Sequence, residues 1–289
     1  MDKRYFIRND DVGARTPALV RYVETFLRAE LPVSYQVIPV KLTAECARWL
    51  SDLQSHHPDL IEFGQHGLKH EMIVRGKRVW REFGPERSAA EQLHAIRLGK
   101  EMIEDALGPV AVFTPPQHKY DRNTLMAAHA VGHRILSAAS YTHVAYRSAY
   151  ALGRAAKLSS LRHHGLSRHG RMREDVPLLE LSISIAIDNG GTVTTPPEHL
   201  SARLVHAAGI SRIIGVMTHQ EVYAEQPELL SALAKTLVDC VPDQIATLTG
   251  IAQQLTTQDS RCIPQGPANT MSWDQIRPIR HRAGTHQPD

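Results

Sequence analysis

A chain of 289 residues is long enough for one large domain or two small ones, and α/β barrels commonly use this length for one. Its 42% hydrophobic and 22% charged residues are the composition of a globular domain, not of a disordered or fibrous chain. The net charge of +3 is too small and dispersed to argue for nucleic acid, and no apolar run approaches the roughly 18 residues that cross a bilayer.

Taken in order, the chain alternates strand-like and helix-like segments. The first is RYFIR (4–8), which reads as a strand ending just before Asn9, Asp10 and Asp11. PALVRYVETFLRAE (17–30) reads as a helix with proline in its first turn. VSYQVIP (33–39) is the next strand, followed by a helix around 43–55 that Thr43 is placed to cap. A third strand, LIEFGQH (60–66), leads to the segment 86–107, whose apolar residues fall at helical spacing until Gly108 and Pro109 stop it. The alternation continues with VAVFTP (110–115), a helix near 121–131 and a short run at 134–138. LLELSISIAID (178–188), a helix near 198–208, RIIGVMTH (212–219), a helix near 226–239, QIATLT (244–249) and a short last helix complete it. Strands alternating with helices of this length imply parallel βαβ units, and seven or eight such units favour barrel-like closure.

Two stretches break the rhythm. Residues 151–175 hold six Arg or Lys against Glu174 and Asp175, a local excess of +4, and read as an inserted basic loop. This loop is either a lid for an anionic substrate or simply a solvated insertion. From about 256 the chain is rich in Pro, Gly, Gln and Thr without apolar period, the pattern of an extended tail. A single barrel domain over 1–255 and a tail over 256–289 are therefore expected. The opening MDKRYFIRND is not a secretory signal, so a cytoplasmic location is expected. Cys46, Cys240 and Cys262 are scattered, without a CxxC pair that would suggest a thiolate zinc site.

In parallel α/β folds the reacting groups collect at the C-terminal ends of the strands. Four polar signals fall there: Asp10-Asp11, GQHGLKHE with His66 and His70, FTPPQHKYD, and MTHQE with His219. Four residues apart, His66 and His70 would share one face of a helical turn, where two imidazoles can hold one metal ion. Such a pair is also what two surface histidines on a helix look like. Two imidazoles with one carboxylate form a set that leaves positions open for water. Asp10 and Asp11 have an alternative as a helix cap, since Pro17 opens a helix nearby. Beside a metal, one carboxylate can ligate while the other stays free as a base. A lone histidine at a strand end, such as His219, more often bonds a backbone carbonyl. It is also the simplest group to protonate a leaving amine near neutral pH.

In order, NDDVG, HGLKH, FTPPQ and VMTH resemble the successive motifs of the NodB-homology polysaccharide deacetylases, carbohydrate esterase family 4, over roughly residues 4–250. The resemblance implies a distorted (β/α) barrel, usually of seven units. It also implies one divalent metal ion and hydrolysis of acyl groups, usually acetyl, from amino sugars. Matched residue by residue, Asp10 would be the general base, Asp11, His66 and His70 the metal ligands, and His219 the general acid. Zn²⁺ is the first expectation for the ion, with Co²⁺, Mn²⁺, Fe²⁺ or Ni²⁺ acceptable to the same donors. Gln117 is the candidate backbone donor to the oxyanion, because Pro115 and Pro116 have no N–H.

The chain departs from the family pattern at Arg8-Asn9, where Thr-Phe usually precedes the aspartates, and at Val12. Thr114 occupies the slot of the arginine that orients the base. No Asp-Trp pair marks the fourth motif, leaving Asp188 to orient His219. These departures point away from the usual polymer toward a small N-acylated or nucleotide-linked sugar. Three functions follow: an N-deacylase in cell-surface polysaccharide or O-antigen synthesis, a same-fold hydrolase of a formamide or ureide, or a catalytically dead carbohydrate binder.

Overall fold

The computed structural model describes residues 3–139, 170–173, 176–241 and 244–258. Most of the basic stretch 151–175, and the tail beyond 258, lie outside these residues. Strand β1 (Arg4–Val12) is flanked by β2 (Val33–Val37) and β11 (Ile213–His219), both parallel to it. Outward from β2 follow β3 (Ile61–Gln65), β6 (Val112–Phe113), β7 (Ile135–Leu136), β9 (Leu179–Glu180) and β8 (Arg171–Met172). Beyond β11 lies β10 (Ile185–Ala186), and among the described residues only the β8–β9 strand pair of this sheet is antiparallel. A separate antiparallel hairpin, β4 (Met72–Val74) and β5 (Lys77–Val79), projects after β3. Nearly every residue of β1, β2, β3 and β11 is buried, as parallel strands covered on both faces must be.

The nine-stranded sheet curls into a distorted (β/α) barrel of seven units. The expected strand over 178–188 is divided because it serves both ends of the sheet. Leu181 and Ile183 donate to Leu136 and Ala138 beside β7, whereas Ser184 and Ile187 donate to Gly215 and Met217 of β11. One segment thus joins the two edges, and its two halves are β9 and β10. The last expected strand, 244–249, is a different matter. Only Ile245 bridges, to Tyr5, and the chain then enters a helix at Leu248. The first amides of that helix, those of Leu248 and Thr249, donate to the buried Glu62 carboxylate at 2.9 and 2.8 Å. A helix N-terminus finds its acceptors there, so the residues leave the sheet.

Seven α-helices lie among the described residues: α1 (Pro17–Arg28), α2 (Ala44–His56), α3 (Ala89–Leu107), α4 (Arg122–Ala130), α5 (Pro197–Ile210), α6 (Pro227–Cys240) and α7 (Leu248–Gln258). Thr43 caps α2 as expected, accepting from Cys46 N–H, and Ser88 with Glu91 forms a capping box on α3. Helices α1, α2, α5 and α6 cover β1, β2, β3 and β11 through residues such as Tyr22, Phe26, Leu50, Leu204 and Leu233. The barrel interior is filled by Phe6, Val112, Ile135, Leu181, Ile183, Ile213 and Met217, with Leu248 and Ile251 of α7. With the interior packed, the C-terminal rim of the strands is left to carry chemistry. None of the described helices is long and apolar enough to cross a membrane.

Candidate active site

The adjacent aspartates do not follow β1; they lie in it. The strand runs on to Val12, and its register against β2 slips by one residue between Asn9 and Val12. Two residues of β2 there face three steps of β1, which is a β-bulge. Asp11 absorbs the extra residue with φ +65, a left-handed backbone uncommon outside glycine. The bulge breaks the up-and-down alternation. Asp10 stays in the strand, in register with His219 on β11, and points inward, while Asp11 turns toward the β3 rim.

Arg8 precedes Asp10 by two residues, so the pleat puts both side chains on the inner face. The guanidinium Nε lies 2.8 Å from Asp10 Oδ1, and Nη2 donates to Oδ2 at 2.8 Å. Both residues are shut from solvent, Arg8 at 0% and Asp10 at 2% exposure. The other terminal nitrogen, Nη1, donates to the carbonyl and the hydroxyl of Ser137, both at 2.9 Å. Burial pushes the Asp10 carboxyl up, but Arg8 foremost, with His66 and His219, pulls it below the ordinary carboxylate range. The arginine missing from the loop after β6 is therefore met from β1 itself. Thr114, in the vacated slot, donates its hydroxyl to Gln36 at 2.7 Å. Asn9, on the opposite face of β1, donates to Gln220 at 2.7 Å and ties β1 to the turn after β11.

Asp11 Oδ1 lies 3.3 Å from Nε2 of both His66 and His70, and the ligand atoms of the three residues are all within 4.8 Å of one another. The expected helical turn is absent. Residues 66–70 form an irregular loop, with Gly67 at φ +66 and His70 at φ +64. The buried Glu82 carboxylate builds that loop: one oxygen accepts the N–H groups of Leu68, Lys69 and His70 at 2.8, 2.9 and 3.0 Å. A Cβ on Gly67 would strike Glu82 and Pro116. The His66 Nδ1–H donates to Thr114 O at 3.0 Å, which leaves the Nε2 lone pair facing Asp11. Burial, and then His66, lowers the pKa of His70 to about 4, so its ring is neutral and available as a ligand. Asp11 Oδ1 is buried without a hydrogen-bond partner among the described residues. A carboxylate oxygen orphaned between two imidazole nitrogens fits a divalent cation well.

On the far side of Asp10, His219 ends β11 and Asp188 follows β10. Asp188 Oδ1 lies 2.5 Å from His219 Nδ1, and Oδ2 accepts the His219 backbone N–H at 3.0 Å. Burial lowers the pKa of His219, but the Asp188 hydrogen bond and nearby carboxylates outweigh it and raise the pKa above the ordinary imidazole value. The rim thus brings together all six expected residues, Asp10, Asp11, His66, His70, Asp188 and His219. Gln117 sits exposed in the turn after β6 with φ +52.

Three residues escaped the sequence reading: Arg8, Glu82 and His118. An Arg-x-Asp alternation within a strand signals Arg8 once β1 is carried past residue 8. Glu82 has no sequence signal, since only the folded loop brings it to residues 68–70.

Among solved structures, a polysaccharide deacetylase from Mycobacterium smegmatis superposes with a TM-score of 0.61 at 13% identity, over 92% of this chain and 96% of that one. The chain has the fold of the NodB-homology deacetylases. A family 4 acetyl xylan esterase from Clostridium thermocellum, solved with a cobalt ion, matches at TM-score 0.52 and 11% identity over 86% of this chain and 90% of its own. A family 4 pseudoenzyme from Bacillus anthracis matches at TM-score 0.52 and 13% identity over 86% of this chain and 65% of its own. No family model and no curated protein matches the sequence. In this chain the arginine paired with Asp10 comes from β1.

Proposed function

We propose that the protein is a metal-dependent hydrolase that removes an N-acyl group, acetyl first, from a sugar. The observation that carries the reading is the Asp11–His66–His70 cluster, flanked by an arginine-held carboxylate on one side and a carboxylate-held imidazole on the other. A divalent ion held by Asp11, His66 and His70, Zn²⁺ first, would supply Lewis acidity to the acyl carbonyl and acidify a water. Asp10 accepts a proton from the attacking water as the water oxygen bonds the acyl carbon. His219 gives its proton to the amine nitrogen as the C–N bond breaks. Asp188 holds His219 in orientation, and the Gln117 N–H is the backbone donor for the oxyanion.

The substrate proposed is an N-acylated or nucleotide-linked sugar of cell-surface polysaccharide or O-antigen synthesis. Support comes from the deacetylase fold and from the departures around Arg8, Asn9 and Thr114. The pseudoenzyme among the similar structures keeps a non-catalytic binder in view. Retention of every reacting group here favours an enzyme. The purified chain should bind about one divalent ion and release acetate from acylated amino sugars; formate or ammonia would instead identify another C–N bond. Asp10→Asn should keep the ion and lose on the order of two decades or more of rate. Full activity in Asp10→Asn would remove Asp10 as the base.

A further inference from the structure

The loop after β6 carries an imidazole to which the proposed reaction assigns no task. Pro115 and Pro116 fix the backbone ahead of it, and both Gln117 and His118 then adopt left-handed conformations, φ +52 and +57. Side chains with a Cβ disfavour that region, so two in succession are held there by their surroundings. The turn is locked by His118 N–H bonding Pro115 O at 2.8 Å and Lys119 N–H bonding Pro116 O at 3.1 Å. It delivers the half-buried His118 ring to Arg8.

His118 Nδ1 lies 3.4 Å from Arg8 Nη2, the nitrogen that also donates to Asp10. A guanidinium only donates and does not lose its proton. Nδ1 must therefore offer its lone pair, and a neutral ring then carries its hydrogen on Nε2. Burial first, and then the Arg8 charge, hold the imidazole well below its ordinary pKa, in keeping with that neutral form. Among the described residues the Arg8 contact is the ring's one hydrogen bond, and Nε2–H has no acceptor among them. The charged and titratable groups around it are Arg8, Asp10, His66 and His219, which are the base, its partner, a ligand and the acid.

We propose that His118 is a further catalytic residue: its Nε2–H, fixed in that tautomer by Arg8, donates a hydrogen bond to the acyl oxygen of the substrate as negative charge develops there. The proposal rests on the deacylase reading. A neutral donor suits this position. It strengthens as the oxygen gains charge, and unlike an imidazolium it does not compete with Arg8 for the Asp10 carboxylate. Arg8 thereby serves two groups at once, holding the base and setting the tautomer of the donor.

Long-range ¹H–¹⁵N correlation NMR on histidine-labelled protein reads the tautomer directly, with the His118 signals assigned by their loss in His118→Gln. The expected result is a neutral ring protonated at Nε2 through the neutral pH range, both metal-free and Zn²⁺-loaded. Acetate added to the Zn²⁺-loaded protein should shift those signals. With a nucleotide-linked N-acetylglucosamine as substrate, His118→Ala should lower kcat by on the order of 10²-fold and leave KM nearly unchanged. His118→Gln, which keeps an N–H donor, should recover part of that loss. Protonation at Nδ1, a charged ring at neutral pH, or a rise in KM with unchanged kcat would each overturn the proposal. If the expected tautomer and acetate response appear but no acylated sugar is turned over, the deacylase reading fails and the donor site stands.

Discussion

Removing the Arg8 guanidinium tests the arrangement at its most exposed assumption, that the base is a charged carboxylate kept inside the barrel by one residue. Arg8→Met has nearly the right length and no charge. It would leave the Asp10 carboxylate buried at 2% exposure without its cation. It would also strip donors from Ser137 O and Oγ, both now bonded at 2.9 Å. Breaking one side of a buried pair typically costs about 3–5 kcal/mol, because the remaining charge is uncompensated. A domain of this kind has of order 5–15 kcal/mol in hand, so the variant should fold but melt roughly 6–20 °C lower, at about 2–4 °C per kcal/mol. Arg8→Met/Asp10→Asn removes both charges and should regain most of that stability while remaining inactive. Urea denaturation of the four proteins gives a double-mutant cycle, with an expected coupling of about 2 kcal/mol or more. A coupling within about 0.5 kcal/mol of zero, the additivity expected of independent sites, would refute the reasoning. So would an Arg8→Met protein with undiminished activity.

Two other residues make separable predictions. Glu82→Ala removes the acceptor for three consecutive amides of the His66–His70 loop, and Co²⁺ or Zn²⁺ affinity should drop about 10–100-fold, as for other groups that orient ligands. Glu82→Gln keeps a carbonyl oxygen for those amides, so a Co²⁺ absorption titration should find a smaller loss; equal affinities for all three proteins would mean the loop holds itself. Asp188→Asn takes away the carboxylate that raises the pKa of His219 against the effect of burial. The imidazolium that the proposed reaction needs then persists to a lower pH only, so the basic limb of the pH–rate profile should move toward acid. A limb that stays in place would assign that limb to another group.

Sequence pattern carried the reading a long way for a physical reason: buried parallel strands are legible as apolar runs, and the polar residues at or near the ends of those runs mark the candidate site. That rule singled out Asp10, Asp11, His66, His70 and His219, and the family resemblance added Asp188 beside His219. The expected strand over 178–188 was real as a segment, but only closure of the sheet divides it between β7 and β11. The expected strand over 244–249 failed because a buried Glu62, remote in sequence, offers acceptors that turn the chain into a helix. Likewise His66 and His70 have helical spacing in sequence, yet Glu82 folds their loop without a helix.

What the amino-acid sequence determined by itself is the alternation of strands and helices and a set of candidate site residues, since both depend on local periodicity and on residue chemistry. The tertiary structure decided how those groups are placed against one another. A bulge in β1 separates Asp11 from Asp10, the pleat turns Arg8 onto Asp10, and a turn with two left-handed residues brings His118 to the same guanidinium. Such pairings join residues far apart in the chain, 110 positions for Arg8 and His118, and no local pattern encodes a contact at that separation.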